Sequence, residues 1–216
     1  MSASAHKRSC HGVVAAAILV AACQAYAAAP AAVEPAVEPA VEPMASDTIN
    51  ALHSTFLDVM KRAEELGFEG RFDALSGVVQ QSFDLEFMAL KTIGEGRKQL
   101  GEEERARWVA SFSNFLLSNY ARRFDGWSGQ AFETLSEEPA PRRTIVVLTR
   151  LLRPREDDVK LDYRLRPTES GWRIIDIYSN GNVSELALRL SEFSSLFKKV
   201  GLDGLIASVD EKAERR

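Results

Sequence analysis

The apolar residues of this chain change period once, near the glycines at 126 and 129, and that change constrains the fold more than any other feature. Upstream they recur every three or four positions, as in helices that bury one stripe. Downstream they alternate, as in strands that bury one face. Helices and strands are therefore segregated along the chain. This predicts an α+β arrangement rather than a parallel sheet with alternating crossovers.

In the helical part, Ser46 or Asp47 is placed to cap a first helix carrying Ile49, Leu52, Phe56, Val59, Met60 and Ala63, ending at Gly67. Short helices are expected around 72–80 and 84–91. The longest helix spans 102–125, with acids in its first turn and Arg122 and Arg123 in its last, as the helix macrodipole favours. Trp108, Phe112, Phe115, Leu116, Tyr120 and Phe124 form one broad stripe along it. Strands are expected at 131–136, 143–152, 159–166 and 172–179, with turns at 137–141, 154–158 and 167–171. Connections this short imply an antiparallel meander. In the third strand Val159, Leu161, Tyr163 and Leu165 share one face, while Lys160, Asp162, Arg164 and Arg166 share the other. A sheet covered on one face reads this way. Two more helices, at 183–199 and 202–212, complete the cover. The expectation is a four-stranded antiparallel curved sheet with helices on one face.

Residues 1–27 read as an export signal: basic His6, Lys7 and Arg8, an uncharged stretch from 12 to 22, and an Ala25-Tyr26-Ala27 cleavage triplet. Val20-Ala21-Ala22-Cys23 also resembles a lipoprotein processing site, so the mature chain begins near Ala28 or at an acylated Cys23. Residues 28–45 carry AVEP three times and form an extended tether. The folded domain is 46–216, and the expected location is periplasmic. Without Lys7 and Arg8, 25 basic residues face 31 acids, a net charge of −6 that carries no nucleic-acid footprint. Both cysteines lie within residues 1–27, so no disulfide is expected in the domain. His53 is then the one mature histidine. That removes most metal sites and histidine-based nucleophile arrangements; His53 itself is expected on the surface.

Three collinear blocks carry a family resemblance: GRFDALSGVVQQSFDLEFMALKTIG (70–94), WVASFSNFLLSNYARRFDGWSGQAFE (108–133) and WRIIDIYSNGNVSELALRLSEFSSLFKKVGLDGLI (172–206). They resemble the MlaC (toluene-tolerance) family of periplasmic lipid-binding proteins, auxiliary to ABC-type lipid transport. Within it, YARRFDGWSGQAF and NGNVSELALRLSEF are most similar to the hopanoid-biosynthesis-associated HpnM branch. One departure is Gly96 and Arg97, where the family carries an aromatic. The resemblance implies a sheet shaped as an NTF2-like cone, and a carrier that takes the hydrophobic part of a phospholipid or hopanoid-type lipid. Its implied partners are an inner-membrane lipid transporter and an outer-membrane lipoprotein complex, with transient membrane contact, no cofactor and no covalent step.

Candidate lipid-lining residues are Phe112, Phe115, Leu116 and Tyr120 from the long helix, Phe83 and Phe87 before it, and Leu148, Leu161, Tyr163, Trp172 and Ile174 from the sheet. The same residues suit an ordinary packed core, which is what an envelope-complex adaptor without ligand requires. Tyr120 and Tyr163 are expected at the pocket mouth, because a hydroxyl needs a polar partner. Asp176 shares the parity of Trp172 and Ile174. It is either a general base of a small-molecule or lipid-modifying enzyme, or an acceptor for the following SNGNVS turn or a helix start. Arg142, Arg143, Arg150, Arg153, Arg155, Lys160, Arg164 and Arg166 gather on the strands, as a solvated face or as a docking surface for phosphate heads or acidic partners.

Overall fold

Residues 44–214 are described by a computed structural model. The expected signal, Cys23 and the AVEP repeats at 32–43 fall outside the described residues, whereas Met44 and Ala45, expected as the end of the tether, belong to the fold: Met44 caps the first helix and Ala45 is buried in it. Helix α1 (Ala45–Lys61) opens the fold and is followed by α2 (Ala63–Ser82), α3 (Leu85–Thr92), a 3-10 turn (Gly94–Gln99) and α4 (Glu102–Arg123). The sheet then runs β1 (Ala131–Ala140), β2 (Thr144–Leu152), β3 (Val159–Thr168), β4 (Gly171–Ser179) and β5 (Val183–Ser184), before α5 (Glu185–Glu214). All neighbours pair antiparallel in chain order, as the short loops predict.

The sheet has five strands, not four. Val183 and Ser184, expected inside a helix, instead pair with Ser179 and Tyr178. The helix starts two residues later, at Glu185, because the Ser184 hydroxyl accepts from the Ala187 N–H at 2.9 Å, satisfying a donor that the first turn leaves open. At the other edge β1 is longer than its pattern suggests, since Glu137 to Ala140 pair with Val147 to Thr144. An edge strand tolerates Pro139 because no ladder donor is needed on the open side. The reversal is thereby compressed into Pro141, Arg142 and Arg143, the two arginines taking φ of 64° and 56°. Left-handed backbone in non-glycine residues costs about 1–2 kcal/mol each.

Helix α1 is not capped by Ser46 or Asp47. Met44 holds the cap position, and the Asp47 carboxylate accepts from its backbone N–H at 3.0 Å. The expected single helix to Gly67 breaks earlier, at Arg62, and α2 then carries a second break at Gly67 itself, where φ is 59° and ψ −172°. Helix α5 breaks at Gly201 as expected, with φ 71° and ψ −173°. Only glycine occupies that backbone region readily. Gly96 also has a reason in packing: a Cβ there would lie 2.6 Å from Cε1 of Phe197. The Phe197 ring of α5 thus packs directly against the Gly96 backbone.

Helix α4 runs through the centre. Trp108 is fully buried, donates to the Ala89 carbonyl at 2.7 Å and meets Phe193 edge-on at 5.6 Å between ring centres. Phe112, Phe115, Tyr120 and Phe124 follow it into the same core. The sheet closes the other side in rows of inward residues. Ile145, Leu165 and Ile174 form one row, Val147, Tyr163 and Ile177 the next, and Phe132, Leu151 and Val159 the last.

Two irregularities alter the parity. Leu135 is extruded from β1 between Thr134 and Ser136 and is half exposed. In β4, Leu165 pairs with Ile174 but Arg164 with Asp176, so Ile175 is an extra residue. Such a bulge turns every later side chain to the opposite face.

Candidate functional site

A cavity of about 870 Å³ opens between α4, the first turn of α5 and the inner face of β2 to β4. From α1, α3 and α4 it takes Phe56, Met60, Met88, Phe112, Phe115, Leu116, Tyr120 and Phe124. From the sheet it takes Phe132, Leu151, Val159, Leu161, Tyr163 and Ile177. Its size falls within the ~300–1,000 Å³ of small-molecule sites. Burial is graded along β3: Tyr163 and Leu165 are fully buried, whereas Leu161 and Val159 are only partly so. The hollow therefore widens from a packed floor at the Leu165 row toward the Val159 row.

The mouth is polar. Arg123, Asp125, Glu156 and Asn180 are exposed lining residues, and Arg122, Gln130, Arg153, Glu185 and Arg189 are half buried. They come from the end of α4 and the loop that follows it, the β2–β3 loop, the β4–β5 turn and the start of α5. Most of these side chains are held by protein partners. Arg122 donates to the Asn119 side chain at 2.7 Å, Arg189 pairs with Glu192 at 2.9 Å while its guanidinium sits 5.2 Å from the Phe115 ring, and Arg153 pairs with Glu156.

Tyr163 of the lining meets, behind the cavity wall, a buried polar partner that the sequence pattern puts on the surface. His53 is buried, not on the surface: its Nε2 and the Tyr163 hydroxyl share a hydrogen bond at 3.0 Å. Its ring stacks on Phe132 with 3.9 Å between centres. The signal was available, because Ile49, His53, Phe56 and Met60 continue one 3/4 stripe. Burial pushes the imidazole pKa down to about 3, so it is neutral at ordinary pH. Burial likewise raises the phenols of Tyr120 and Tyr163, which stay protonated. Both tyrosines belong to the buried interior rather than the mouth, a correction that follows from the hydroxyl of Tyr163 finding its partner inside.

Of the eleven residues proposed from sequence, Phe112, Phe115, Leu116, Tyr120, Leu161 and Tyr163 line this cavity. The others do not. Phe83 and Ile174 are fully buried in solid core, bridged to each other, with Phe83 also 5.9 Å from the Tyr120 ring. Trp172 packs at the edge of that core and its carbonyl accepts from the Thr48 hydroxyl. Leu148 lies on the outer face, because β2 turns Val147, Thr149 and Leu151 inward. Arg150, on the parity of Leu148, signalled this. Phe87 also lies outside the cavity, beneath the Arg166 guanidinium at 4.6 Å.

Asp176 is turned away from the cavity by the Ile175 bulge. Its carboxylate accepts from the Ser184 hydroxyl at 2.6 Å and from the N–H groups of Ile177 and Leu186 at 2.8 and 3.1 Å. It ties β4 to the β5 turn and the start of α5. Asp176→Ala is expected to leave the Ser184 and Leu186 donors without their acceptor and to cost about 1–3 kcal/mol in urea unfolding, with Asp176→Asn milder because one acceptor oxygen remains.

The sheet is not bare on its outer face. Thr144, Arg164, Arg166, Ile175 and Asp176 meet Phe87 and Lys91 of α3 and Leu186, Ala187 and Leu190 of α5 around a second pocket of about 380 Å³. The strand arginines are thus divided. Arg153 belongs to the cavity mouth, Arg142, Arg164 and Arg166 to this second pocket, and Arg150 pairs with Glu133 at 2.6 Å.

Fold and site together define an α+β protein whose sheet and helices part around an apolar hollow with a polar mouth. Residues 50–211 match the family of the MlaC protein, and the chain belongs to that family. Among solved structures it is similar to the phospholipid-binding protein from Ralstonia solanacearum, solved in complex with a phospholipid. The two share 20% identity over 79% of this chain and 97% of that one, with a TM-score of 0.70. A domain of unknown function with a cystatin-like fold from Nostoc punctiforme shares 16% identity over 79% of this chain and 99% of that one, with a TM-score of only 0.33. No curated protein matches the chain.

Proposed function

We propose that this protein binds the hydrocarbon part of a lipid in the 870 Å³ cavity and carries it, as a soluble periplasmic shuttle, between an inner-membrane lipid transporter and an outer-membrane lipoprotein complex. The observation that carries the reading is the pairing of an aromatic and aliphatic lining with a polar mouth at one end. An amphiphile enters such a space tail first and leaves its head in water. Membership of the MlaC family and the phospholipid held by the similar Ralstonia protein support it.

The energetics explain the need for enclosure. Two chains of ~15 methylenes cost on the order of 24 kcal/mol to expose to water at ~0.8 kcal/mol each. A carrier must match that with apolar surface and then release the cargo, which favours many weak contacts over any covalent step. The titratable groups here suit this: Tyr120 and Tyr163 of the lining stay protonated, and His53 behind Tyr163 is neutral.

The enzyme reading built on Asp176 loses its geometry, since that carboxylate faces away from the cavity and already accepts three hydrogen bonds. Cargo is a phospholipid or a hopanoid-type polycyclic lipid. Purification without detergent, followed by native mass spectrometry and solvent extraction, is expected to show one lipid per chain and to identify it. A preparation that carries no lipid, and takes none up from phospholipid or hopanoid vesicles, removes the proposal.

A further inference from the structure

We propose that the second pocket, on the face of the sheet opposite the lipid cavity, is a docking site for an acidic segment of a partner protein. Carboxylates of that segment pair with Lys91, Arg142 and Arg164, and an apolar side chain fills the floor between them.

The electrostatics single this place out. The chain carries a net charge of −4, yet Lys91, Arg142, Arg164 and Arg166 converge on one recess. Arg166 is neutralised by Asp84 of the α3 cap. Arg164 spends its donors on neutral groups, the Thr144 hydroxyl and the Pro141 carbonyl, each at 3.0 Å. Among the described residues the side chains of Lys91 and Arg142 make no ion pair or hydrogen bond, and Glu95, one turn beyond Lys91, is paired with Lys98. Asp176 is the acid within the pocket lining, and its oxygens are occupied by Ser184, Ile177 and Leu186. A local excess of positive charge on an acidic protein steers an acidic partner and repels others.

The shape narrows the occupant. Phe87, Ile175, Leu186 and Leu190 give the recess an apolar floor, and its 380 Å³ is less than half the room of the lipid cavity. It suits one or two side chains of a bound segment rather than a pair of acyl tails. Arg142 is also held at φ 64° in a tight hairpin, strain of the kind that concentrates at binding sites. Leu186 lines both spaces, so a docked segment touches the helix turn that walls the cargo.

The test does not depend on what the cavity holds. A fluorescein-labelled dodecapeptide of aspartate, glutamate, serine and glycine with one central leucine is titrated with the purified protein and followed by anisotropy. Saturable binding is expected, weakening at least tenfold as salt is raised from low to about 0.3 M. Lys91→Glu with Arg142→Asp should weaken it at least tenfold, since both positions are exposed and aspartate tolerates the left-handed backbone. Lys198→Glu with Lys199→Glu makes a similar charge change elsewhere and should leave binding within twofold. Should the first pair melt abnormally, Arg164→Gln serves in its place. Equal loss in both pairs overturns the proposal, as does no binding at low salt. Tighter, pocket-dependent binding to phosphatidylglycerol vesicles than to the peptide also overturns it, assigning the site to a lipid surface.

Discussion

Tryptophan at both Leu161 and Leu116 is expected to reduce lipid loading at least tenfold while leaving the melting temperature within a few degrees of wild type. These two side chains, one from β3 and one from α4, are both partly buried and both line the cavity. A large ring introduced there enters empty volume that a tail would otherwise occupy. Val147→Trp supplies the contrast. Val147 lies on the same face of the sheet, paired with Tyr163, but is fully buried in solid packing. Overfilling that site costs about 1–3 kcal/mol or more, which for a domain of this size lowers the melting temperature by roughly 2–4 °C per kcal/mol. Lipid content by mass spectrometry and thermal unfolding by circular dichroism are read on the same samples. If the Leu161 and Leu116 changes destabilise the fold as Val147→Trp does, the hollow is packed core and the carrier proposal fails with it.

Acid should loosen the fold through His53. Burial holds its imidazole neutral, with a pKa of about 3 against 6.5 for the free side chain. Below pH 6.5 the unfolded chain takes up a proton that the folded protein refuses. The contribution of neutral burial is therefore complete above pH 6.5 and is lost as pH falls toward 3, at up to ~1.4 kcal/mol per pH unit. Between pH 7 and pH 5 this one residue accounts for about 2 kcal/mol of lost stability. In His53→Phe that increment should vanish from urea unfolding compared at the two pH values. The variant pays at neutral pH, about 1–3 kcal/mol, because the Tyr163 hydroxyl is left without its partner. His53→Phe with Tyr163→Phe removes both polar groups and should recover most of that loss. An unchanged difference between pH 7 and pH 5 in His53→Phe would show that the ring is protonated in the fold.

The division into helices followed by a meander was legible because period is a local property. β3 shows it best: four alternating residues predicted its inward face, and Val159, Leu161, Tyr163 and Leu165 all point there. The helix stripe from Phe112 to Tyr120 was equally plain and supplies one wall of the cavity. β4 failed for a reason that no alternation reveals. The extra residue at Ile175 exists only relative to the register of β3, so Asp176 seemed to share a face with Ile174 and does not. Leu148 was misplaced although Arg150 marked its face, and Leu151 lines the cavity instead. His53 reads as part of a polar helix face, yet it continues the buried stripe of α1, where Phe132 and Tyr163 give it a ring to stack on and a hydroxyl to bond.

Sequence by itself determined the class of fold, the order of its longer elements and which residues are apolar enough to line a pocket, because these depend on neighbours within a few positions. Tertiary structure alone decided which of those residues fill the core and which surround empty space. Phe83 and Ile174 are as greasy as Phe112 and Leu161, and only the parting of α4 from the outer rows of the sheet separates the two sets. A cavity is a property of how surfaces fail to meet, and no single stretch of chain encodes it.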